Sequence, residues 1–407
     1  MKLIFCSSIF NMEDYDYIAK NSKIPVSLAD HNLNYNIIAG LDENMPVPVT
    51  LINNVPIPTY PKFPRVIFRK HVWSHAPGAQ DIHCGFINLP VLKHISRAVT
   101  TYRGLKKEIQ SAGGEPVCVM TYDLRLGICL AIRRAKKKYP QIRTCAVLPD
   151  VPNAVIVASN GGKVTLSGRL RAGVKMGFIG QFDSYVLLTK YMRTIRALRD
   201  KPSVIMEGIY NNRQAPLPEK TTEQKVILYS GQLNPAYGME NLLEAFQEIY
   251  KLDQSYALWI CGAGALTDRI KSLAETCPGI RYYGYVNAQT VRKLQAEASV
   301  LINPRQNTGG FTKYSFPSKT MEYLASGRPV IGYKLDGIPD EYDAYIQYVA
   351  DNTIEALRDK IMEVCSMSKE QRRALGDRSR QFILENKNPK EQCVPIKDML
   401  ESMLGSV

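Results

Sequence analysis

The sequence predicts an α/β protein of two domains, each built on a parallel sheet with crossover helices. Short apolar runs alternate with amphipathic stretches along the chain, and that alternation is typical of strands joined by helices. The chain has 407 residues, more than one ordinary core uses, so two domains are the economical division. Hydrophobic residues make up 45 % of it, which is enough to bury two cores.

A polar segment with two prolines marks the predicted domain boundary. Residues 211–225 read NNRQAPLPEKTTEQK, a composition typical of a linker, and the alternation of apolar runs starts again after it. We therefore predict a first domain over residues 1–208, a second over 209–385, and a C-terminal helix over 386–407 that packs back on the first domain.

Individual apolar and amphipathic runs give the expected elements. In the first domain we predict strands at 2–5, 36–39, 66–68, 117–121, 143–148 and 185–188, with helices within 87–109 and at 127–138. In the second we predict strands at 226–229, 257–260, 280–283, 299–302 and 329–332, and helices at 238–249, 267–275, 290–298 and ending near 326. The tail from 369 to 404 is amphipathic and predicts helix.

Several sequence features exclude classes of protein. No run of 18 apolar residues appears, so we expect no membrane-spanning helix. Glu13 and Asp14 soon follow the apolar start, which therefore predicts a buried strand and not a secretory signal. The nine cysteines are scattered without a CxxC pair, which indicates buried thiols in a reducing cytosol. No metal site is predicted, because no DxD lies between apolar strands and no His/Cys cluster has ligand spacing.

The net charge of +14 lies entirely in the first half of the chain. Residues 1–210 hold 28 Lys and Arg against 14 Asp and Glu, whereas residues 211–407 hold 24 of each. Such an asymmetry indicates an anionic partner. In 127–143 and 163–182, basic residues alternate with apolar ones, as suits an anionic membrane surface. The alternative is a solvated helix face with a loop, and nucleic acid is disfavoured because no recognised binding motif accompanies the charge.

The segment 303–342 carries the pattern that points most directly to chemistry. It follows the apolar run 300–302, so it leaves the carboxyl edge of a parallel sheet, where ligands of open α/β sheets bind. Gly309 and Gly310 allow close backbone approach to a ligand. Pro317 suits the first turn of a helix and Gly327 suits its end.

The helix between these punctuating residues suits a nucleotide diphosphate. The N–H groups near Ser318 and Lys319, with the helix dipole, favour a phosphate. We expect Arg305 and Lys319 to neutralise a diphosphate from two directions, and Glu322 to accept hydrogen bonds from ribose hydroxyls. The alternative is ordinary helix punctuation, with Lys319 and Glu322 paired at i, i+3 on a solvated face.

The same segment resembles the donor-site signature of family 4 glycosyltransferases, also called glycosyl transferases group 1. The similarity rests on INPR, YSFPSK, MEYLASGRPVI and GIPDEY, in that order between residues 302 and 342. It is closest to the branch found in bacterial surface-polysaccharide clusters. YSGQLNPAYGMENLLEAF and LWICGAGALTDRI extend it, so the resemblance covers roughly residues 226–345 and the first half only loosely.

This resemblance implies the GT-B fold, in which two Rossmann-like domains face each other, with the donor in the second and the acceptor in the first. It also implies transfer with retention of anomeric configuration from a nucleotide-diphosphate sugar. No cofactor or divalent metal is implied, because basic side chains and a helix N-terminus stabilise the departing diphosphate in that family.

The family's charged motif positions are only partly kept here. The second glutamate of its Glu-x7-Glu motif corresponds to Glu322, but Tyr314 stands eight residues earlier in place of the first. Many members have Arg and Lys at the first glycine turn, where this chain has Gln232 and Tyr237. Arg305 and Lys319 then become the substitute phosphate cations.

Other motif positions concern backbone approach and the acceptor side. Gly231 and Gly262 keep their places as glycines of the donor site. The family's histidine near the reacting carbon is not visible after VCVMT, where Tyr122 and Asp123 stand. Asp150 follows an apolar strand, as catalytic residues often do, although flanking prolines also suit a turn cap. We take Tyr122, Asp123 and Asp150 as catalytic candidates, and His31 and His83 as possible neighbours on the acceptor side.

The sequence therefore predicts a retaining, metal-independent glycosyltransferase. It would move a hexose to a lipid-linked or polysaccharide acceptor in bacterial cell-surface glycan synthesis, in the cytoplasm at the inner face of the cell membrane. Two alternatives stay open: a nucleotide-sugar isomerase (epimerase) on the same fold, and a non-catalytic nucleotide-sugar-binding protein.

Overall fold

Two compact units make up the chain. The structure is a computed structural model that describes residues 1–24, 26–151, 166–211, 215–308, 310 and 312–405, without the side chains of Leu166, Ser167 and Arg171. One unit comprises Met1–Asn211 with Asn388–Val407, and the other comprises Asn212–Lys387. The acceptor and donor roles that the sequence assigns to the two domains stay predictions.

Parallel sheets form the centre of both units. The strands are β1 (Lys2–Cys6), β2 (Thr50–Asn53), β3 (Ile67–Phe68), β4 (His71–Trp73), β5 (Asp81–His83), β6 (Phe86–Ile87), β7 (Val117–Tyr122), β8 (Arg143–Leu148), β9 (Ser184–Leu187), β10 (Ser203–Ile205), β11 (Lys225–Ser230), β12 (Tyr256–Cys261), β13 (Ile280–Gly284), β14 (Val300–Asn303), β15 (Val330–Gly332) and β16 (Ile346–Tyr348). The first unit has the order β10-β9-β8-β7-β1-β2-β5-β4, in which only β4 is antiparallel to its neighbour. The second has the all-parallel order β13-β12-β11-β14-β15-β16.

Helices connect and cover these strands, as parallel pairing requires. Those of the described residues are α1 (Met12–Asn21), α2 (Leu28–Asn44), α3 (Leu92–Gln110), α4 (Leu126–Lys138), α5 (Leu166–Phe178), α6 (Met239–Leu252), α7 (Thr267–Thr276), α8 (Ala288–Glu297), α9 (Ser318–Ser326), α10 (Ile354–Ser366), α11 (Lys369–Asn386) and α12 (Pro389–Gly405). Local signals start several of them. Asn287 caps α8 and Thr353 caps α10, while Ser368 and Gln371 form a capping box at α11.

The C-terminal helix α12 packs against α2 within the first unit. A Cβ added at Gly40 of α2 would lie 2.1 Å from the Pro389 carbonyl oxygen, so only glycine allows this approach. The core cluster that the two helices share includes Ile37, Ile38, Leu41, Cys393, Ile396 and Leu400. Each such side chain contributes about 1.5–3 kcal/mol on burial.

A small antiparallel sheet of β3 and β6 covers a second core in the first unit. Phe68 and Phe86 stack with ring centroids 4.6 Å apart, on the face that points inward. The buried members of this core are Phe10, Ile18, Ile57, Phe63 and Phe86.

One predicted strand is wrong. Residues 36–39 lie inside helix α2, because the buried positions His31, Asn34, Ile38 and Leu41 recur at helical spacing and Ser27 caps the helix start. The three apolar residues in the middle are too few to distinguish a strand from a helix. The short strands β2, β5 and β16 were not predicted.

Two expectations about chain chemistry can be compared with the structure. All nine cysteines are free and buried, which confirms the prediction of buried thiols. In the described ranges, no helix is long and apolar enough to cross a membrane.

Candidate functional site

The carboxyl edge of the second unit's sheet gathers the residues predicted to bind the donor. Helix α9 begins there and is held by two contacts. The buried Tyr323 hydroxyl accepts a hydrogen bond from the Ser230 N–H (2.8 Å) at the end of β11 and donates to the Ser230 carbonyl (3.0 Å). Asn303 Nδ2, at the end of β14, donates to Thr320 Oγ1 (3.2 Å). These contacts place α9 beside the loops that follow β11 and β14.

Gly231 and Gly262 lie where the loops after β11 and β12 touch. A Cβ on Gly262 would lie 1.8 Å from the Gly231 carbonyl oxygen, and the φ of Gly262 is +137°, which L side chains rarely adopt. A Cβ on Gly231 would lie 2.8 Å from the Tyr229 hydroxyl, which itself donates to the Gln232 carbonyl at 2.7 Å. Gly262 is therefore required by a backbone contact, whereas a side chain at position 231 would displace the Tyr229 hydroxyl. The Gln232 side chain is exposed on this turn.

The first turn of α9 carries no side-chain cap from the described residues. Pro317 occupies the N-cap position, where it makes no side-chain hydrogen bond, Ser318 is exposed and Lys319 is half-buried. Uncapped N–H groups at the positive end of a helix dipole suit an anionic group. The helix ends at Gly327, whose φ of +81° is left-handed, as the sequence predicted.

Lys319 and Glu322 form an ion pair across one turn of α9. Lys319 Nζ lies 2.6 Å from Glu322 Oε2, and both side chains are nearly half exposed. An exposed i, i+3 pair contributes at most about 0.5 kcal/mol. The pair is the arrangement expected from ordinary helix punctuation. Because it is weak, Lys319 can exchange it for a phosphate, and Glu322 for ribose hydroxyls, at little cost.

Arg305 is the buried cation of this edge. Only 7 % of its surface is exposed, and its Nη2 donates to Ser315 Oγ at 2.9 Å. Its Cζ lies 5.6 Å from the ring centroid of Tyr237, which stands where many members of the resembling family have lysine. Burial lowers the pKa of Arg305, while Tyr237 and Tyr229 oppose that shift. Arg305 follows β14, whereas Tyr237 lies in the turn after β11. A cation from another strand end therefore lies beside the position at which many members of that family have lysine.

Tyr314 lies half-buried in the 3-10 turn Thr312–Tyr314 just before α9. The turn packs on Gly337, where a Cβ would lie 2.4 Å from the Thr312 carbonyl oxygen. Gly310 has a φ of +68° with open space around it. Gly309, which the sequence also singles out, lies outside the described residues.

The carboxyl edge of the first unit's sheet gathers carboxylates. Asp123 follows β7 with a φ of +59°, a strained conformation for a residue other than glycine, and its Oδ1 accepts from Lys175 Nζ at 2.7 Å. Asp150 follows β8. Burial, with repulsion from Asp30 and Asp123, raises the pKa of Asp150 to about 6. Asp150 therefore changes protonation near the pH at which a general base works best.

Tyr122 is unsuited to remove a proton. It is buried, and its hydroxyl donates to Asp30 Oδ1 at 3.4 Å. Burial, followed by repulsion from Asp30, raises the pKa of Tyr122, so the phenol stays protonated. Its role at this edge is contact with Asp30. Asp30 and Lys175 were not predicted at this edge, because they come from helices α2 and α5 and no strand-end signal marks them.

His31 and His83 are buried, and each ring is held by a neighbour. His31 Nδ1 accepts from the Phe10 N–H at 3.2 Å, and burial lowers the pKa of His31. His83 Nδ1 accepts from Asn53 Nδ2 at 3.0 Å, and burial with repulsion from His71 lowers the pKa of His83 to about 4. Both rings are therefore neutral at pH 7 and can serve as hydrogen-bonding groups.

Part of the basic stretch 127–143 contacts the first unit itself. Arg133 and Arg134 each lie over an aromatic ring, and Lys136 pairs with a carboxylate at 2.7 Å. On α5, Leu170 and Val174 are exposed one turn apart. The sequence also assigns Lys163, Leu166 and Arg171 to the membrane-facing stretch 163–182. Lys163 and the side chains of the other two lie outside the described residues.

An exposed apolar surface on the first unit was not predicted. Strands β3 and β6 place Ile67 directly opposite Ile87, and the Ile87 N–H donates to Ser96 Oγ of α3 at 3.1 Å. Strands and helix therefore form one continuous surface, and such surfaces mark interaction sites. We call it the α3 surface, and its exposed apolar residues are Ile67, Ile87, Val91, Leu92, Ile95 and Val99.

Val91 of this surface has unusual backbone geometry. It is β-branched, yet it precedes α3 with a φ of +63°, and 69 % of its surface is exposed. That conformation is costly for a β-branched residue and is typical of functional positions.

Part of the chain matches a known protein family. Residues 212–382 match the family described as Glycosyl transferases group 1. No curated protein matches the chain in sequence.

Solved structures are similar over the whole chain at low sequence identity. Sucrose-phosphate synthase from Thermosynechococcus elongatus has a TM-score of 0.65 at 14 % identity and covers 100 % of both chains. The lipopolysaccharide outer core galactosyltransferase WaaB, in its apo form, has a TM-score of 0.62 at 14 % identity, over 99 % of this chain and 100 % of that one. HepE from Anabaena, in complex with UDP, has a TM-score of 0.56 at 13 % identity over 100 % of both. At such identities the likeness shows the fold alone.

Proposed function

We propose that this glycosyltransferase of the GT-B fold transfers a hexose from a nucleotide-diphosphate sugar, with retention of configuration and without a metal ion. Residues 212–382, which match the glycosyl transferases group 1 family, form the donor-binding domain in this proposal. The acceptor oxygen bonds to the anomeric carbon while the bond from that carbon to the diphosphate breaks. The bonding electron pair leaves with the diphosphate, and a carboxylate takes the hydroxyl proton. Asp150 is the first unit's candidate for that carboxylate.

The position of Arg305 carries this proposal. A departing diphosphate gains negative charge, and a cation fixed in a water-poor setting stabilises that charge more than a mobile one in water does. Arg305 is buried, is held by a hydrogen bond to Ser315 and lies over the ring of Tyr237. It replaces the cation that the family places on the first glycine turn.

Helix α9 supplies the remaining donor contacts in the proposal. Its uncapped first turn binds a phosphate through backbone N–H groups, and Lys319 adds one charge. Glu322, one turn further, accepts hydrogen bonds from the ribose hydroxyls. Tyr314 faces the sugar in place of the family's first glutamate, and this replacement changes the donor sugar that the site selects.

Transfer assays test the proposal directly. Uridine and guanosine diphosphate hexoses are incubated with the protein, with and without an excess of EDTA, and products are identified by NMR of the anomeric proton. We expect transfer in EDTA with the donor's anomeric configuration. Loss of activity in EDTA that Mg²⁺ restores would contradict metal independence. An altered nucleotide sugar formed without acceptor would identify an isomerase, and donor binding without turnover would identify a binding protein.

We propose a lipid-linked or glycan acceptor in surface-glycan synthesis, met at an anionic membrane. Residues 61–110, which include the α3 surface, hold nine Lys and Arg against two Asp and Glu, and seven of these nine cations are exposed. Apolar side chains enter the interface, and each basic residue near an anionic leaflet adds about 1 kcal/mol. The α3 surface supports the membrane proposal better than the stretch 127–143, because six exposed apolar side chains accompany its basic residues.

Vesicle binding tests the membrane proposal. We expect the wild type to sediment with phosphatidylglycerol vesicles, and Ile95→Asp to weaken this partition roughly ten-fold through lost burial and an added negative charge. Leu252→Asp is the matched control, since Leu252 is an exposed apolar residue of the second unit. Equal effects of the two substitutions, or wild-type binding to neutral vesicles alone, would exclude the α3 surface.

A further inference from the structure

A cavity of about 150 Å³ opens at the amino edge of the second unit's sheet. Ser299 and Pro329 line it and directly precede β14 and β15, whereas the candidate donor residues follow the strands. The chain at 216–220 and one face of α11 complete the wall. The cavity is therefore separate from the donor edge, although α9 begins at one edge and its last residue, Ser326, lines the other.

Helix α11 is held against this cavity by a backbone contact. A Cβ on Gly376 would lie 1.9 Å from the Gly327 carbonyl oxygen, so only glycine lets α11 approach the turn that ends α9. Ser379 Oγ donates to the Leu324 carbonyl at 3.3 Å and fixes the same approach. Arg372 precedes Gly376 by one turn and Arg380 follows it by one turn, and both line the cavity.

The lining of the cavity is strongly basic. Its cationic residues are Lys220, Arg328, Lys369, Arg372, Arg373 and Arg380, and its acidic residues are Glu219 and Asp377. Six positive charges stand against two negative ones, which leaves an excess of four. The acidic residues lie at exposed positions: Lys369 Nζ pairs with Glu219 at 2.8 Å, and Arg373 Nε lies 3.6 Å from Asp377. Exposed pairs of this kind contribute little and are readily displaced.

The less exposed arginines have hydrogen-bond partners that do not neutralise them. Arg328 Nη2 donates to the Pro218 carbonyl at 2.8 Å, and Arg372 Nη1 donates to the Cys365 carbonyl at 3.0 Å. A carbonyl satisfies an N–H group but leaves the positive charge in place. Burial lowers the pKa of Arg328, the charge of Arg372 adds to that shift, and Glu297 opposes it. Carbonyl contacts therefore hold Arg328 and Arg372 in place and leave their positive charges available to an anionic ligand.

We infer that this cavity binds a small soluble anion bearing one or two phosphate groups. At about 30 Å³ per water molecule, the cavity has room for roughly five waters, a volume comparable with a phosphate or a diphosphate. Planar guanidinium groups bind phosphate oxygens in pairs, which makes arginine the side chain of choice for such a site. Because the donor edge is at the other end of the strands, this anion and the donor bind together without competing.

The inference is tested on the full-length protein by calorimetric titration with inorganic phosphate and with pyrophosphate, at constant ionic strength set by chloride. We expect saturable binding, and a loss of about ten-fold in affinity for Arg373→Gln, the size of one charge-assisted hydrogen bond. Arg378→Gln is the matched control, since it removes an exposed arginine from α11 outside the cavity. Arg372→Gln gives a second variant nearer the cavity wall.

Three further arms separate the possible outcomes. We expect Arg305→Gln to bind phosphate as the wild type does. If Arg305→Gln lost the binding and the cavity variants kept it, the ion would bind at the donor edge and not in the cavity. Titration in saturating uridine diphosphate, which occupies the donor edge, should still show saturable phosphate binding, and its absence there would overturn the inference. Three other results would also overturn the inference. They are the absence of saturable binding, an equal weakening by Arg378→Gln, and binding to phosphatidic acid vesicles without binding to free phosphate.

Discussion

The carboxyl edges of the two sheets differ in how they hold their functional groups. The second unit's edge is fixed by backbone contacts between glycine turns and carries one buried cation, Arg305. The first unit's edge gathers Asp30, Asp123 and Asp150, although that half of the chain holds the whole net charge of +14. Net charge thus describes the surface that a partner meets, whereas the few groups at a strand end decide the chemistry.

The largest expected effect concerns the glycine contact of the second unit. We expect Gly262→Ala to lower the free energy of unfolding by more than about 4 kcal/mol, since its Cβ would meet the Gly231 carbonyl. Gly284→Ala is the control, because Gly284 also has a positive φ at a strand end but has open space around it. It should cost only about 1–2 kcal/mol. Urea unfolding measures the free energy of both variants. Equal losses would show that the close approach to the Gly231 carbonyl does not determine the cost at Gly262.

The first unit should respond to pH through a buried charged network. His75 Nε2 lies 2.8 Å from Asp42 Oδ2, and His75 Nδ1 lies 2.6 Å from Asp81 Oδ2. Although burial alone lowers it, these hydrogen bonds raise the pKa of His75 to about 9, above 6.5 in the unfolded chain. The stabilisation is complete below pH 6.5 and is lost as the pH rises through 9. It amounts to at most about 3 kcal/mol.

Urea unfolding of the wild type and His75→Gln, at pH 6 and at pH 9.5, measures this stabilisation. The difference between the two proteins should be large at pH 6 and should shrink at pH 9.5. A difference that is independent of pH would show that His75 acts through packing alone.

A smaller effect concerns the carboxylates of the first unit's edge. Since burial and then Asp30 raise the pKa of Asp150 to about 6, Asp30→Asn should lower that pKa. If ionised Asp150 takes the acceptor's proton, the acidic limb of kcat/KM should move to lower pH in Asp30→Asn. Asp200→Asn, an exposed carboxylate elsewhere in the unit, should leave the limb in place. An unmoved limb in both would exclude Asp150 as the base.

The second unit was more predictable from sequence than the first for a physical reason. Pro317, Gly327 and the apolar spacing between them are local signals, so α9 was expected close to where it lies. Part of helix α2 was predicted as a strand because its buried face packs against α12, which comes from the other end of the chain. Short strands such as β2 carry too few residues to show a period.

Site chemistry was predicted where it depends on residue type and missed where it depends on contacts across the chain. Arg305 was named as a substitute cation, but its contact with the ring of Tyr237 joins residues far apart in sequence. Asp30 and the cavity arginines of α11 looked like ordinary helix-surface residues. Only folding brings them to neighbours that change their electrostatics.

In the proposed donor site, the cation that binds the diphosphate has moved from the first glycine turn to Arg305, and exchanging the residues at the two positions tests this proposal. Calorimetry measures the affinity for whichever of uridine and guanosine diphosphate the wild type binds. We expect Arg305→Gln to weaken binding about 100-fold, and adding Tyr237→Lys to recover it to within about ten-fold of the wild type. Unchanged affinity in Arg305→Gln, or no recovery in a folded double variant, would show that Arg305 does not replace the cation of the glycine turn.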